Sequence, residues 1–478
     1  MNSKESGMKK RLFGGLCVLA LAGCAVGPDY VRPAVASADQ FKEAKGWQPA
    51  SPADQIAKGA WWKVFNDPDL DRLEDQLNAA NLTIAQAEAQ YRQSSALLQE
   101  AQAGFLPTVG LSASETHARS GGSSDGSSTV STAYNAALSA SWEIDLWGQV
   151  RRGVEAGQAK AASSLASLEN ARLSAQAQLA IAYFQLYVAD SQKRSLDDSV
   201  AAYQQQLTIT QNRYAAGVAG QADVAQAQSQ LQSIQVQAMD KGLQRDQLEH
   251  AIAVLIGQTP SSFSLGERQT APRVPATPVG VPSDLLERRP DVAAAERLVA
   301  EANAQIGVAR AAWFPQLTLG ASGGYRSGSL ANWITLPNRV WSVGPTLAAT
   351  LFDGGLRSGQ NAAAVASYDQ SVATYRQTVL TAFQDVEDNL AATRILAQEA
   401  DMQHQAVLAA RQSADITLNQ YKAGTAGMLS VVQANATWQA SVRSEFDILN
   451  SRLTAAVGLI KALGGGYQAP GGEVATAH

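Results

Sequence analysis

Cysteine is nearly absent from this 478-residue chain: the two present, Cys17 and Cys24, both lie in the first 24 residues. A disulfide framework is thereby excluded for the rest of the chain. Histidine is almost as scarce, and His117, His250, His404 and His478 are scattered without metal-ligand spacing, so no metal site is expected. Aromatics make up 6% of residues while Ala, Gln, Ser and Leu dominate, a balance that favours long helices with thin seams over thick globular cores. Net charge is −5 and no basic patch stands out, which argues against nucleic acid as a partner. Proline is missing from two long stretches, between Pro107 and Pro260 and between Pro345 and Pro470. Nothing in either stretch forces a helix to stop.

What is present begins with "MKKRLFGGLCVLALAGC", a basic start, a short apolar run and small residues before Cys24. That layout is a secretory signal, residues 1–23, too short to be a membrane span. Leu21-Ala22-Gly23-Cys24 resembles a bacterial lipobox, which implies a diacylated Cys24 at the head of an N-terminal lipid-anchored segment, 24–69. The alternative is a plain signal peptide with an incidental cysteine. Ala25, rather than Asp, follows Cys24, so outer-membrane rather than inner-membrane retention is expected.

The remainder is written twice. "NRYAAGVAGQADVAQAQ" from Asn212 aligns with "NQYKAGTAGMLSVVQAN" from Asn419, Pro107 aligns with Pro315, and Asp145 with Asp353. Agreement of three landmarks at nearly one offset marks a tandem duplication. The repeats occupy 70–270 and 291–466, joined by a proline-rich linker, 271–290, and followed by a tail, 467–478.

Each repeat opens on a helix with a seven-residue rhythm, Leu73 through Leu98 in the first and Val292 through Trp313 in the second, which predicts coiled-coil packing. Each then changes period. Apolar residues alternate with Ser, Thr and Asn in hairpins spanning 105–145 and 315–352, with the length and pattern of transmembrane strands. A soluble two-sheet module would show the same alternation. A long helix follows each hairpin, turns at Gly217 or Gly424, both suited to a left-handed helix end, and returns as a second helix. Asp145 and Asp353 stand where they would cap the helix after each hairpin, and the acids of "QDVEDNL" from Gln384 read as a solvated face. Trp61 and Trp62 are expected as core residues of a helical collar, and Trp142 and Trp341 as interfacial aromatics. The fold class is mainly α with membrane β.

Four membrane strands cannot close a barrel, since small barrels need about eight, and an open edge in lipid leaves backbone groups unpaired. Two, three or four chains would give 8, 12 or 16 strands, with the long helices forming a cylinder continuous with the barrel.

"SDLLERRPDVAAAERLVAEANAQIGVARAAWFPQLTL", "WWKVFNDPDLDRL", "GCAVGPDYVRP" and the paired "RYAAG" and "QYKAG" motifs resemble the TolC-type outer membrane factors, in the lipoprotein (NodT-like, OprM-like) branch of tripartite efflux systems. The resemblance implies a homotrimer with a 12-stranded barrel above a periplasmic helical tunnel in a Gram-negative outer membrane. It implies a periplasmic adaptor and an inner-membrane pump, of the RND type, as partners. Transport then involves no chemistry and no cofactor beyond the acyl groups on Cys24. A protein-secretion exit duct of the same family is the runner-up, and a non-channel structural lipoprotein or a barrel enzyme the readings from other classes.

The family's periplasmic gate is ringed by carboxylates nine and twelve residues after the second-copy tyrosine, with an apolar residue at eight. Counted from Tyr421 these positions hold Ser430, Gln433 and Leu429. No carboxylate is there, so Leu429 is the expected constriction. The family latch joins an acid of the first copy to the second-copy tyrosine and an arginine, which here implies Asp223 and Tyr421; Ala426 stands at the arginine position, with Lys422 as its substitute. Asp223 could equally cap its own helix.

Overall fold

The computed structural model describes residues 25–35, 42–43, 60–120, 129–268, 274–275 and 289–465. Cys24, the signal segment, most of the linker and the tail lie outside the described residues. Helices α1 (Pro68–Ala80) and α2 (Leu82–Ala103) lead to strands β1 (Thr108–Ser120) and β2 (Thr129–Ile144), then to helices α3 (Gln149–Ala215) and α4 (Gln221–Leu255). The second repeat follows the same plan with α5 (Pro290–Ala311), β3 (Gln316–Ser327), β4 (Arg339–Ala348), α6 (Leu356–Lys422) and α7 (Met428–Ala462). Both outbound helices have 67 residues and both returning helices 35. At 1.5 Å per residue the longer ones extend about 100 Å.

The seven-residue rhythm predicts one helix from Leu73 to Leu98, but the chain breaks at Asn81. Its Oδ1 accepts from the backbone N–H groups of Thr83 and Ile84 at 2.9 and 3.0 Å and so caps α2, while its Nδ2 donates to the Leu255 carbonyl at 2.7 Å. An asparagine satisfies orphan backbone groups at a helix start better than it serves a helix interior. The β4 alternation also ends early, at Ala348, leaving Ala349 and Leu351 beyond the strand.

The described residues group into two compact units whose boundaries fall after Ala34 and within α2, α3, α5 and α6. The units therefore cut across the repeats, and each repeat contributes corresponding segments to both.

In the first unit (described residues of Met1–Ala34, with Gln90–Ser164 and Ala294–Tyr375) a single antiparallel sheet runs β1-β2-β3-β4. Asp145 accepts from the Val150 and Arg151 N–H groups at 3.1 and 2.9 Å, and Asp353 from those of Gly355 and Arg357 at 3.0 and 3.3 Å. Both aspartates thus fix where strand becomes helix, as their positions predict. A strap formed by residues 25–32 lies against this junction. Val26 N–H donates to the Trp147 carbonyl at 3.0 Å, Asn303 Nδ2 to the Pro28 carbonyl at 3.0 Å, and the buried Arg152 binds Asp29 and Glu155, each at 2.8 Å. Trp147 stacks on Phe314 beside it, ring centres 4.8 Å apart.

The second unit (described residues of Val35–Ala89, Leu165–Ala293 and Arg376–His478) holds the larger core. Trp61 and Trp62, in a short 3-10 turn, pack with Leu70, Leu73 and Leu77 of α1 against Leu179, Tyr183 and Leu186 of α3. Asp67 caps α1 and also binds Arg268 and the Tyr183 hydroxyl, which ties the chain after α4 to this core. Burial in that core, with the bond that its hydroxyl donates to the Asp67 carboxylate, pushes the Tyr183 phenol well above the usual range. The "QDVEDNL" stretch is engaged rather than merely solvated: Glu387 accepts from the Lys42 and Glu43 N–H groups at 2.7 and 2.9 Å, and Asp385 pairs with Arg289 at 3.0 Å. Its acids hold down chain segments that sequence spacing gave no reason to bring there.

Candidate channel wall and gate

Strand register decides what the sheet can do. Val109 faces Ala140, Leu111 faces Leu138, Leu138 faces Gly323, Trp142 faces Leu319, Ala321 faces Val343 and Leu317 faces Leu347. Because side chains alternate, every apolar set read from the sequence falls on one face of all four strands. Val109, Leu111, Val343 and Leu347 are each well exposed on it. The opposite face carries Ser112, Ser139, Thr318, Ser322, Ser342 and Thr346. On β2, Trp142 and Tyr134 on the apolar face are eight residues apart, about 26 Å of strand or about 20 Å of height at a tilt of about 40°, which sets an aromatic near each end of an apolar band about 25 Å tall. Among the described residues no strand partners the outer edges of β1 and β4. An apolar face, a hydroxyl face and two open edges define one wall segment of a membrane channel.

Where each outbound helix turns back, the paired motifs from Asn212 and Asn419 adopt one backbone design. Gly217 and Gly424 have φ of +70° and +80°. Gly217 N–H donates to the Tyr214 carbonyl and Val218 N–H to that of Arg213, both at 2.9 Å; Gly424 and Thr425 repeat this onto Tyr421 at 3.0 Å and Gln420 at 2.9 Å. These are paired Schellman closures, and the glycines are there because only glycine takes the left-handed position without strain. Gly220 and Gly427 then start α4 and α7 with almost the same dihedrals.

The side chains break the symmetry. Asp223 accepts from the Gly220 N–H at 3.0 Å, capping its own helix, whereas its counterpart Ser430 has no carboxylate to offer. Tyr421 is 3% exposed and Tyr214 is 48%. The arginine beside Tyr421 is Arg213 of the first motif: its guanidinium lies 4.5 Å from the ring centre and Nη1 donates to the Tyr421 carbonyl at 2.7 Å. The Tyr421 hydroxyl meets Thr210 Oγ1 at 3.4 Å. Within the chain, then, Tyr421 is held by Arg213 and Thr210, while Asp223 is engaged locally and the Lys422 side chain is exposed. Arg213 was missed by reasoning from the second motif alone. The available signal was its place just before Tyr214, where the second copy has the uncharged Gln420.

Leu429, Ser430 and Gln433 lie on the exposed side of α7, opposite Met428, Val431 and Val432, which pack against Tyr203, Leu207 and Leu231. The three predicted gate positions thus share one solvent-facing side of the helix start. A polar seam continues along α3 and α7, with Gln439 donating to Ser199 at 2.7 Å and Gln192 to Asp447 at 3.1 Å.

Fold and wall together define an outer-membrane channel. Residues 73–258 and 281–465 match the outer membrane efflux protein family, and the chain belongs to it. The pyoverdine export outer membrane protein OpmQ of Pseudomonas aeruginosa is 33% identical, over 96% of this chain and 98% of its own length. Nodulation protein T of Rhizobium leguminosarum bv. trifolii is 28% identical, over 87% and 89%. Among solved structures, the outer-membrane channel OprN superposes with a TM-score of 0.86 at 28% identity, covering 92% of this chain and 99% of that one. The open state of the MtrE outer membrane channel of Neisseria gonorrhoeae gives 0.79 at 28% identity, over 93% and 98%. The family assignment carries with it the outer membrane as location and efflux as function.

Proposed function

We propose that three copies of this chain, each donating four strands, close a twelve-stranded barrel continuous with a helical tunnel, as the exit duct of a tripartite pump. The observation that carries this is the two-faced sheet whose β1 and β4 edges have no partner strand among the described residues, since lipid does not tolerate such edges. The duct conducts small molecules passively, while a periplasmic adaptor and an inner-membrane pump of the RND type supply recognition and energy. Pyoverdine export, the role named for OpmQ, supports small molecules as cargo over polypeptides.

Cys24 carries the lipid anchor. Support comes from the strap, which fixes Val26 at the junction of β2 and α3, at the foot of the membrane band. The tunnel narrows at Leu429, with Ser430 and Gln433 beside it, and opens when the helical tips untwist. Tyr421, held by Arg213, with Asp223 and Lys422 at hand, forms the latch that keeps the tip closed.

The test is complementation. A strain lacking its own exit duct but retaining the cognate pump and adaptor should regain export of a fluorescent pump substrate on expression of this chain. Correctly inserted protein that restores no export would refute the duct reading.

A further inference from the structure

Register assigns every strand side chain to one face, so the ionisable residues can be sorted. Glu115, His117, Arg119 and Arg339 fall on the apolar, lipid-side face near its loop end. On the hydroxyl face the described residues of β1 and β4 contribute no charge, β2 contributes Glu143, and β3 contributes Arg326. Glu143 pairs in register with Thr318, eight residues before Arg326, so the two stand about 26 Å apart along the strands. Glu143 marks the end next to the helices and Arg326 the end next to the hairpin loops.

The surroundings of Arg326 are small and uncharged. Asn135 lies opposite it in register, Gly324 is its inward neighbour on the same strand, and Ala133 and Val340 share the face. Gly324 backs directly on the Ala136 carbonyl, with no room for a Cβ. Arg326 is exposed and is thus the longest side chain projecting from that level of the wall.

We propose that Arg326 sets the charge selectivity of the extracellular mouth, three copies forming a cationic ring that favours anionic solutes and hinders external cations from entering the lumen. This rests on the duct reading. A charge set in a low-dielectric wall focuses its field into the lumen, and at 0.1 M salt that field reaches about 10 Å. Residues 121–128 and 328–338 contain one ionisable residue between them, Asp125.

The test uses a thiol introduced by Ser322→Cys, which lies on the hydroxyl face four residues below Arg326, in whole cells with the wild-type chain as control. Its reaction rates with a cationic and an anionic methanethiosulfonate added from outside are compared with and without Arg326→Gln. Arg326→Gln should raise the cationic-to-anionic rate ratio by about threefold or more at low ionic strength, with the difference fading in 1 M salt. An unchanged ratio at low salt overturns the proposal. No reaction of the Ser322→Cys thiol with either reagent would instead overturn the duct reading, because that face would not line an open lumen. The assay does not depend on the state of the periplasmic gate, because both reagents are added from outside.

Discussion

The two helical tips, Asn212–Ala227 and Asn419–Ala434, share a backbone and differ in what it carries. Both use a glycine-closed Schellman turn followed by a glycine N-cap. The first tip spends its charged residues on fastening, Arg213 reaching across to Tyr421 and Asp223 capping α4. The second has none at those positions: Gln420 and Ser430 replace them, Thr425 Oγ1 donates to the Gln420 carbonyl at 3.1 Å, and Leu429, 64% exposed, faces away from the packed side. Duplication preserved the geometry of reversal while the fastening charges stayed on the first copy and an exposed leucine on the second.

That division is open to attack by matched substitutions. The largest effect is expected from Tyr421→Ala, which removes a buried ring and should lower stability by about 3 kcal/mol, against less than about 0.5 kcal/mol for the exposed Tyr214→Ala. Equal losses in denaturant titration would erase the asymmetry.

A second contrast sits at the start of the repeats, where among the described residues no helix precedes α5 as α1 precedes α2. Glu74 of α1 is fully buried and neither carboxylate oxygen has a hydrogen-bond partner. Burial, and then the neighbouring Asp75 and Asp71, push its pKa up to about 9. A carboxyl whose folded pKa is raised binds its proton more tightly in the native state, so the protein is most stable below the ordinary carboxylate range and weakens as pH climbs towards 9. Glu74→Gln removes that slope: its stability relative to wild type should rise by about 1.4 kcal/mol per pH unit between pH 5 and pH 8. Melting curves that stay parallel across this range would contradict a buried protonated carboxyl.

Smaller, but closer to function, Arg213→Ala should cost about 1–2 kcal/mol through loss of the charge-assisted bond and ring contact and raise the conductance of the reconstituted channel. Gln420→Ala should do neither, and conductance unchanged in both would remove Arg213 from the latch. Smallest, Asp223→Ala should lower stability by about 1 kcal/mol as a lost helix-start acceptor. If Asp223 also serves the latch, conductance rises with it; a stability change without a conductance change reduces Asp223 to a cap.

Much of this arrangement was legible in the sequence because it rests on periodicity. The alternation of Val109, Leu111 and Ala113, and of Leu138, Ala140 and Trp142, specified the wall face, and the aligned glycines specified the turns. Contacts between residues distant in sequence left no periodic trace. The Arg213–Tyr421 contact, the clasp of Arg268 on Asp67 and the engagement of Glu387 with residues 42 and 43 each join segments roughly 200 or more residues apart. The break at Asn81 escaped because apolar rhythm continued through it while the decisive signal was a single capping side chain.

If this chain is one third of a closed conducting duct, detergent-extracted protein will show it in native mass measurement and in single-channel recording in a planar bilayer. A particle of three chains that inserts as a discrete pore, with larger conductance in Arg213→Ala, is the expected outcome. A monomer that conducts nothing would contradict it.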